Sequence, residues 1–156
     1  MTEQKCLSCV DCAVRKCMTG EKRYPGFCLS KGLSKEDIQL AKEYYLDDEE
    51  NLKIAKASAE IECDFYCRAP RLEETIRWAK KLGAKKIGIA TCVGLIKESK
   101  IVADLFRHYG FEVYGVGCKV GEVREEDIGI DKRCNKTGKN ICNPVLQAKL
   151  LEKENT

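Results

Sequence analysis

The chain has 156 residues, 44% of them hydrophobic, and its 28 Lys and Arg against 25 Asp and Glu leave a formal net charge of +3. That is enough for one compact domain with its own core and a small appended module. Interspersed charges of both signs, with no basic stripe and no interleaved aromatics, argue against nucleic acid as a partner. Residues 1–20 lack the apolar core of a signal peptide, and no apolar run approaches the length of a membrane span. The expectation is a cytoplasmic chain with no membrane partner. In that compartment eleven cysteines, an odd number, point away from a disulfide framework and toward metal ligands or redox thiols.

Residues 1–33 carry neither helical nor strand period, yet they hold Cys6, Cys9, Cys12, Cys17 and Cys28. Two cysteines separated by two residues can turn both sulfurs toward one metal. The Cys6-x-x-Cys9-x-x-Cys12 run resembles the ferredoxin pattern, but four residues rather than three precede Cys17, and Met18 rather than Pro follows it. Tyr24-Pro25-Gly26-Phe27 suits a type II turn that folds Cys28 back toward the earlier thiols. From Lys5 to Lys31 six basic residues face two acidic ones, which offsets the charge of about −2 on a divalent metal with four thiolates. These features predict a metal-organised module over residues 1–33, with Cys9, Cys12, Cys17 and Cys28 as ligands.

A helical segment is expected over residues 34–82. Ser34 and Asp37 form a capping pair for a first helix whose Ile38, Ala41 and Tyr45 share a face. A second helix runs from about Glu49 to Cys63, with Leu52, Ala55, Ala59 and Glu62 along one side. Cys63 and Cys67 fall on one face if it continues that far. After Pro70, the spacing of Leu72, Ile76, Ala79 and Leu82 marks a third helix with Gly83 as its C-cap. Trp78 reads as a packing residue.

Residues 83–156 read as an α/β unit. Lys86–Thr91 is a short buried strand, Glu98–Tyr109 a helix with Ile101, Val102 and Leu105 inward, and Phe111–Gly117 a second strand. Strand, helix and strand in that order make a βαβ unit with parallel strands. A charged, glycine-containing loop follows over Lys119–Ile141, and Asn143-Pro144 opens a last helix as N-cap and first helical residue. The fold class is therefore α/β, a partial Rossmann-like βαβα unit with a small parallel sheet. Two strands make a poor sheet. A second copy completing it as a homodimer, a small sheet sheltered by helices, and a truncated chain all fit this pattern.

Cys92 ends the first strand, Cys118 ends the second, and Cys142 stands at the start of the last helix. In a parallel pair the first two lie at the carboxyl edge, where open α/β sheets place their ligands. A helix N-terminus favours a thiolate. These three cysteines are the expected cofactor-binding set, with Cys134 in the intervening loop and Gly94 and Gly121 allowing close backbone approach. Packing as small apolar residues is the competing reading. Gly115-x-Gly117 does not complete a dinucleotide fingerprint, because its third glycine, Gly121, falls one place late. The single histidine, His108, sits in the last turn of a helix, where a cation complements the dipole.

Several pieces together resemble an uncharacterised prokaryotic cysteine-rich metal-binding family, domain of unknown function 1847. They are Cys9-x-x-Cys12-x4-Cys17 with Cys28, RLEETIRWAKKLGAKKIGIA, TCVGL, CKVG and CNPVLQAKLL. The resemblance implies metal at the N-terminal cysteines and leaves activity open. Cys6, Cys63 and Cys134 have no counterpart in that pattern, and similar members continue into another strand and a second Cys-Val-Gly turn, which suits a C-terminally truncated member. The functional expectation is an iron–sulfur protein with redox or sulfur-transfer chemistry at the sheet edge and an unknown small-molecule or redox partner. The alternative is a non-catalytic binding module with a structural four-cysteine zinc site.

Overall fold

The computed structural model describes residues 7–21 and 23–156; Cys6 lies outside the described residues. The chain is a mixed α/β protein that divides into two compact units, one ending at Ala55 and the other running from Lys56 to Thr156. Among the described residues there are five α-helices and one two-stranded sheet. No described helix is long and apolar enough to cross a membrane.

The first unit holds short 3₁₀ turns at Cys9–Asp11, Lys16–Met18 and Leu29–Lys31, then α1 (Lys35–Leu46) and the start of α2 (Glu49–Phe65). The capping pair forms as expected: Ser34 Oγ accepts the Asp37 N–H at 2.9 Å, and an Asp37 carboxylate oxygen accepts the Ser34 N–H. The apolar face expected on α1 is not buried, since Ile38, Ala41 and Tyr45 are exposed. Indeed none of the described residues of this unit is buried. The turn before Cys28 also differs from expectation. The Cys28 N–H donates to Pro25 O at 3.1 Å, so the turn starts at Pro25, and Gly26 does not have a positive φ.

In the second unit α2 ends at Phe65, with Ala57 and Ile61 as its buried residues. These, rather than Ala59 and Glu62, face inward. Cys67 lies beyond the helix in the left-handed region, φ 55°, so Cys63 and Cys67 do not share a helical face. The third helix, α3 (Arg71–Leu82), closes on Gly83 in the left-handed conformation, as its sequence predicts. Strand β1 (Lys86–Thr91) pairs in parallel with β2 (Glu112–Gly117), Lys86 opposite Glu112 and Thr91 opposite Gly117. Between them α4 (Ile96–His108) starts two residues earlier than predicted. Its buried residues are Ala103 and Phe106, and Ile101 is 70% exposed. At 100° per residue Ile101 lies about 140° from Phe106 and about 160° from Ala103, so it falls at the rim of the buried face although Leu105, four places on, packs against the core.

The sheet has a helix layer on each side. Ile76, Ala79, Phe106 and Phe111 form the buried core, and Trp78, Ile87, Ile89, Val102, Leu105 and Val113 pack against it. Phe106 and Phe111 meet edge-to-face, 6.0 Å between ring centroids. Alternation along a strand sends Gly88 to the opposite face, where α5 (Pro144–Lys153) lies. A Cβ at Gly88 would stand 2.8 Å from Thr156 Cβ and 3.0 Å from Leu151 Cδ2, so glycine lets this helix approach β1 closely. Lys86 Nζ ties the same junction, donating to Glu154 O at 2.6 Å and pairing with its carboxylate at 3.0 Å. Phe106→Ala should lower the unfolding free energy by about 3–5 kcal/mol, read by denaturant titration, because it removes the ring that α3, α4 and the sheet share.

Candidate functional site

Parallel pairing places the ends of β1 and β2 side by side, and the residues just past them are Cys92 and Cys118. Cys92 caps a 3₁₀ turn (Val93–Leu95) that leads directly into α4. That turn aims the Val93 N–H at Cys118 Sγ, 3.5 Å away. Cys118 is 6% exposed, whereas Cys92 and Cys142 are exposed. Cys142 is brought in by α5: the backbone N–H of Asn143 donates to Cys118 O at 2.7 Å, and the Asn143 carboxamide oxygen caps the helix through the Leu146 N–H at 3.0 Å.

The Cys118 thiol interacts with the thiols of both Cys142 and Cys92. Its pKa is held below the ordinary 9.0, first by the Val93 N–H, then by Cys142 and Cys92, and last by the charge of Lys119; burial opposes the shift. A thiolate is the form that ligates metals and attacks electrophiles. The chain segments that carry the thiols hold glycines and apolar residues. A Cβ at Gly94 would lie 3.7 Å from Cys92 Sγ. Val93, Leu95, Ile96 and Val145, next to the thiol residues in sequence, are exposed apolar side chains. Gly121, just past Cys118, has φ +83°, and a Cβ there would run into Leu146 of α5.

The other cysteines are placed differently. Cys9 opens its 3₁₀ turn, and the Cys12 N–H donates to Cys9 O at 3.1 Å, the local curl expected of a C-x-x-C step. Cys17 and Cys28 belong to separate turns, with Arg15 in the left-handed region between Cys12 and Cys17. Cys134 ends a 3₁₀ turn (Lys132–Cys134) in the loop before α5 and is exposed. All ten described cysteines are free thiols. Among the described residues no three His, Cys, Asp or Glu side chains stand as a ready metal-holding group. The N-terminal four are thus not gathered into a coordination set, and the sheet-edge three meet as pairwise contacts centred on Cys118. His108 is exposed and lies edge-on to Tyr109, 5.5 Å between centroids.

One residue of this site was not singled out from sequence. Gln147 is 6% exposed, and its Nε2 donates to Thr91 O at 3.0 Å and to Val116 O at 2.7 Å. The available signal was a single polar residue in the apolar run Val145-Leu146-Gln147-Ala148, four places after the N-cap.

Fold and site together define a mixed α/β protein in which Cys92 and Cys118 lie just past the ends of a parallel strand pair and Cys142 precedes the helix tied to Cys118. The chain belongs to the family described as "Protein of unknown function (DUF1847)", whose model matches residues 28–156. That span contains Cys28 and all three sheet-edge cysteines. The chain is also 40% identical over 151 residues to the uncharacterized protein MJ0455 of Methanocaldococcus jannaschii, covering 96% of this chain and 72% of that protein. No solved structure matches.

The lowered Cys118 pKa has a definite sign in the metal-free protein. Its stabilising contribution is complete above the ordinary thiol range and is lost as pH falls through the folded-state value. Thiolate absorbance titrated against pH should show, in the difference between wild type and Cys118→Ser, one group ionising below pH 9.0. A difference curve centred at or above that value would contradict the arrangement.

Proposed function

We propose that this chain is a thiolate metal-binding protein in which Cys92, Cys118 and Cys142 hold an iron–sulfur cluster. The observation that carries the reading is the in-register strand pair that brings Cys92 and Cys118 out of the sheet side by side, with the Val93 N–H on Cys118 Sγ at 3.5 Å and the Asn143 N–H, next to Cys142, on Cys118 O at 2.7 Å. The donor set fits: the side chains meeting there are all sulfur, and thiolates suit iron–sulfur clusters as well as zinc. The strand pair with its intervening helix reads as a partial Rossmann-like unit, whose binding crevice lies at this edge.

Within the site each residue has a distinct part. Cys118 supplies the thiolate already favoured by the Val93 N–H. Cys92 and Cys142, both exposed, complete the set from the start of α4 and the N-terminus of α5. The apolar side chains of Val93 and Val145 border it. Bound there, a cluster with three protein thiolates would offer one open iron for redox or sulfur-transfer chemistry.

Cys9, Cys12, Cys17 and Cys28 make a second metal centre within a module over residues 1–33. That none of the first unit's described residues is buried supports this, because a segment without a core needs another source of folding energy, and thiolate–metal bonds would supply it. The C-x-x-C curl at Cys9 and Cys12 favours zinc there as a second reading, a structural site without catalysis. Free thiols fit a reducing cytoplasm. The outer edges of the two-stranded sheet are where a second copy would add strands.

Anaerobic purification followed by metal analysis and the visible spectrum tests the proposal. The expected result is iron with acid-labile sulfide and a coloured protein, with Cys92→Ser losing the iron of one cluster. Colourless protein with stoichiometric zinc and neither iron nor sulfide would replace it with the zinc reading.

A further inference from the structure

We infer that Gln147 is the positioning residue of the sheet-edge thiols. It ties the ends of both strands to α5 and so sets the spacing of Cys92, Cys118 and Cys142. The inference rests on the thiol reading above.

A glutamine carboxamide buried to 6% exposure is costly unless its hydrogen bonds are made. Both groups facing Gln147 Nε2 are carbonyls, Thr91 O at 3.0 Å and Val116 O at 2.7 Å. Two acceptors require the NH₂ end of the amide, which has two N–H groups to give. The side chain's orientation is therefore determined, and one nitrogen bridges β1 and β2. Thr91 immediately precedes Cys92, and Val116 lies two residues before Cys118.

A second tether lies one turn earlier on the same helix. The Asn143 N–H donates to Cys118 O at 2.7 Å, and positions four apart share a helical face. Cys142 is the residue before Asn143. Helix α5 is thereby held to the strand ends at two points, and a slide or rotation of it would move Cys142 relative to Cys118. An apolar residue at 147 would fill the same space and keep the packing, but nothing would then hold the two carbonyls to the helix. Packing alone does not call for an amide here. Outer hydrogen-bond partners that orient metal ligands commonly matter about 10–100-fold in metal affinity.

The experiment uses the full reduced chain, with Gln147→Met matching volume without donors and Gln147→Glu placing a carboxylate against the two carbonyls. Thiol spacing is read without metal, from the rate at which dibromobimane bridges pairs among Cys92, Cys118 and Cys142, located by peptide mass. Cd²⁺ affinity is read from its thiolate charge-transfer absorbance. Phe106→Ala, destabilised from the other side of the sheet, controls for lost stability. Both Gln147 variants should bridge more slowly, and Gln147→Met should bind Cd²⁺ at the sheet edge about 10–100-fold more weakly, with circular dichroism unchanged and Phe106→Ala bridging like wild type. Wild-type bridging in Gln147→Met, or equal slowing in Phe106→Ala, would overturn the inference. If Cys92→Ser and Cys118→Ser leave Cd²⁺ binding intact while Gln147→Met still slows bridging, the metal reading fails and the positioning role stands.

Discussion

The in-register parallel pairing of β1 and β2 is the constraint on which the site depends. With Thr91 opposite Gly117, both strands end at the same level, so the chain leaves the sheet at Cys92 and Cys118 as neighbours. The turn into α4 then has one direction to go, and its Val93 N–H meets the Cys118 sulfur. A one-residue slip would carry Cys118 past that N–H and reverse every side chain on β2. Val113 would leave the α3–α4 core, and Val116 would leave the face beneath α5. Core packing and thiol geometry therefore enforce the same register.

The two units are built on different physical terms. The second has a core in which α3, α4 and the sheet share Ile76, Ala79, Phe106 and Phe111. The described part of the first has no buried residue. The four N-terminal cysteines proposed as ligands stand where burial contributes least, and the other three stand at the end of the packed sheet, with Cys118 buried. At the edge, strand ends and a helix N-terminus set where the thiols lie. In the first unit short turns place each thiol locally, and under the proposed reading a metal would bring the distant turns together.

Much of the fold was legible in the sequence because its signals are local. Ser34 with Asp37, Gly83 after Leu82, and Asn143-Pro144 are hydrogen-bonding and backbone requirements satisfied within a few residues, and each stands where it was read. The strands followed from short β-branched runs separated by a helix. The errors lie where a long-range partner decides. Ile101 was placed inward by spacing, but the inward face of α4 is chosen by the ring of Phe106 against Phe111. Ala59 and Glu62 gave way to Ala57 and Ile61 for the same reason. The turn before Cys28 moved by one residue because either of two hydrogen bonds could close it.

By itself the sequence determined the helix boundaries that carry caps, the order of strand, helix and strand, and the candidacy of Cys92, Cys118 and Cys142, since each of these depends on residues near one another along the chain. Only the tertiary structure decided that Cys118 is the buried member with the acid-shifted thiol and that Gln147 spans the two strand ends. Both depend on groups far apart in sequence: an N–H from residue 93 on a sulfur at 118, and an amide at 147 on carbonyls at 91 and 116. Such bonds leave no periodic mark in a sequence. They come from the distance between folded elements, which the packing of the sheet and its helices sets.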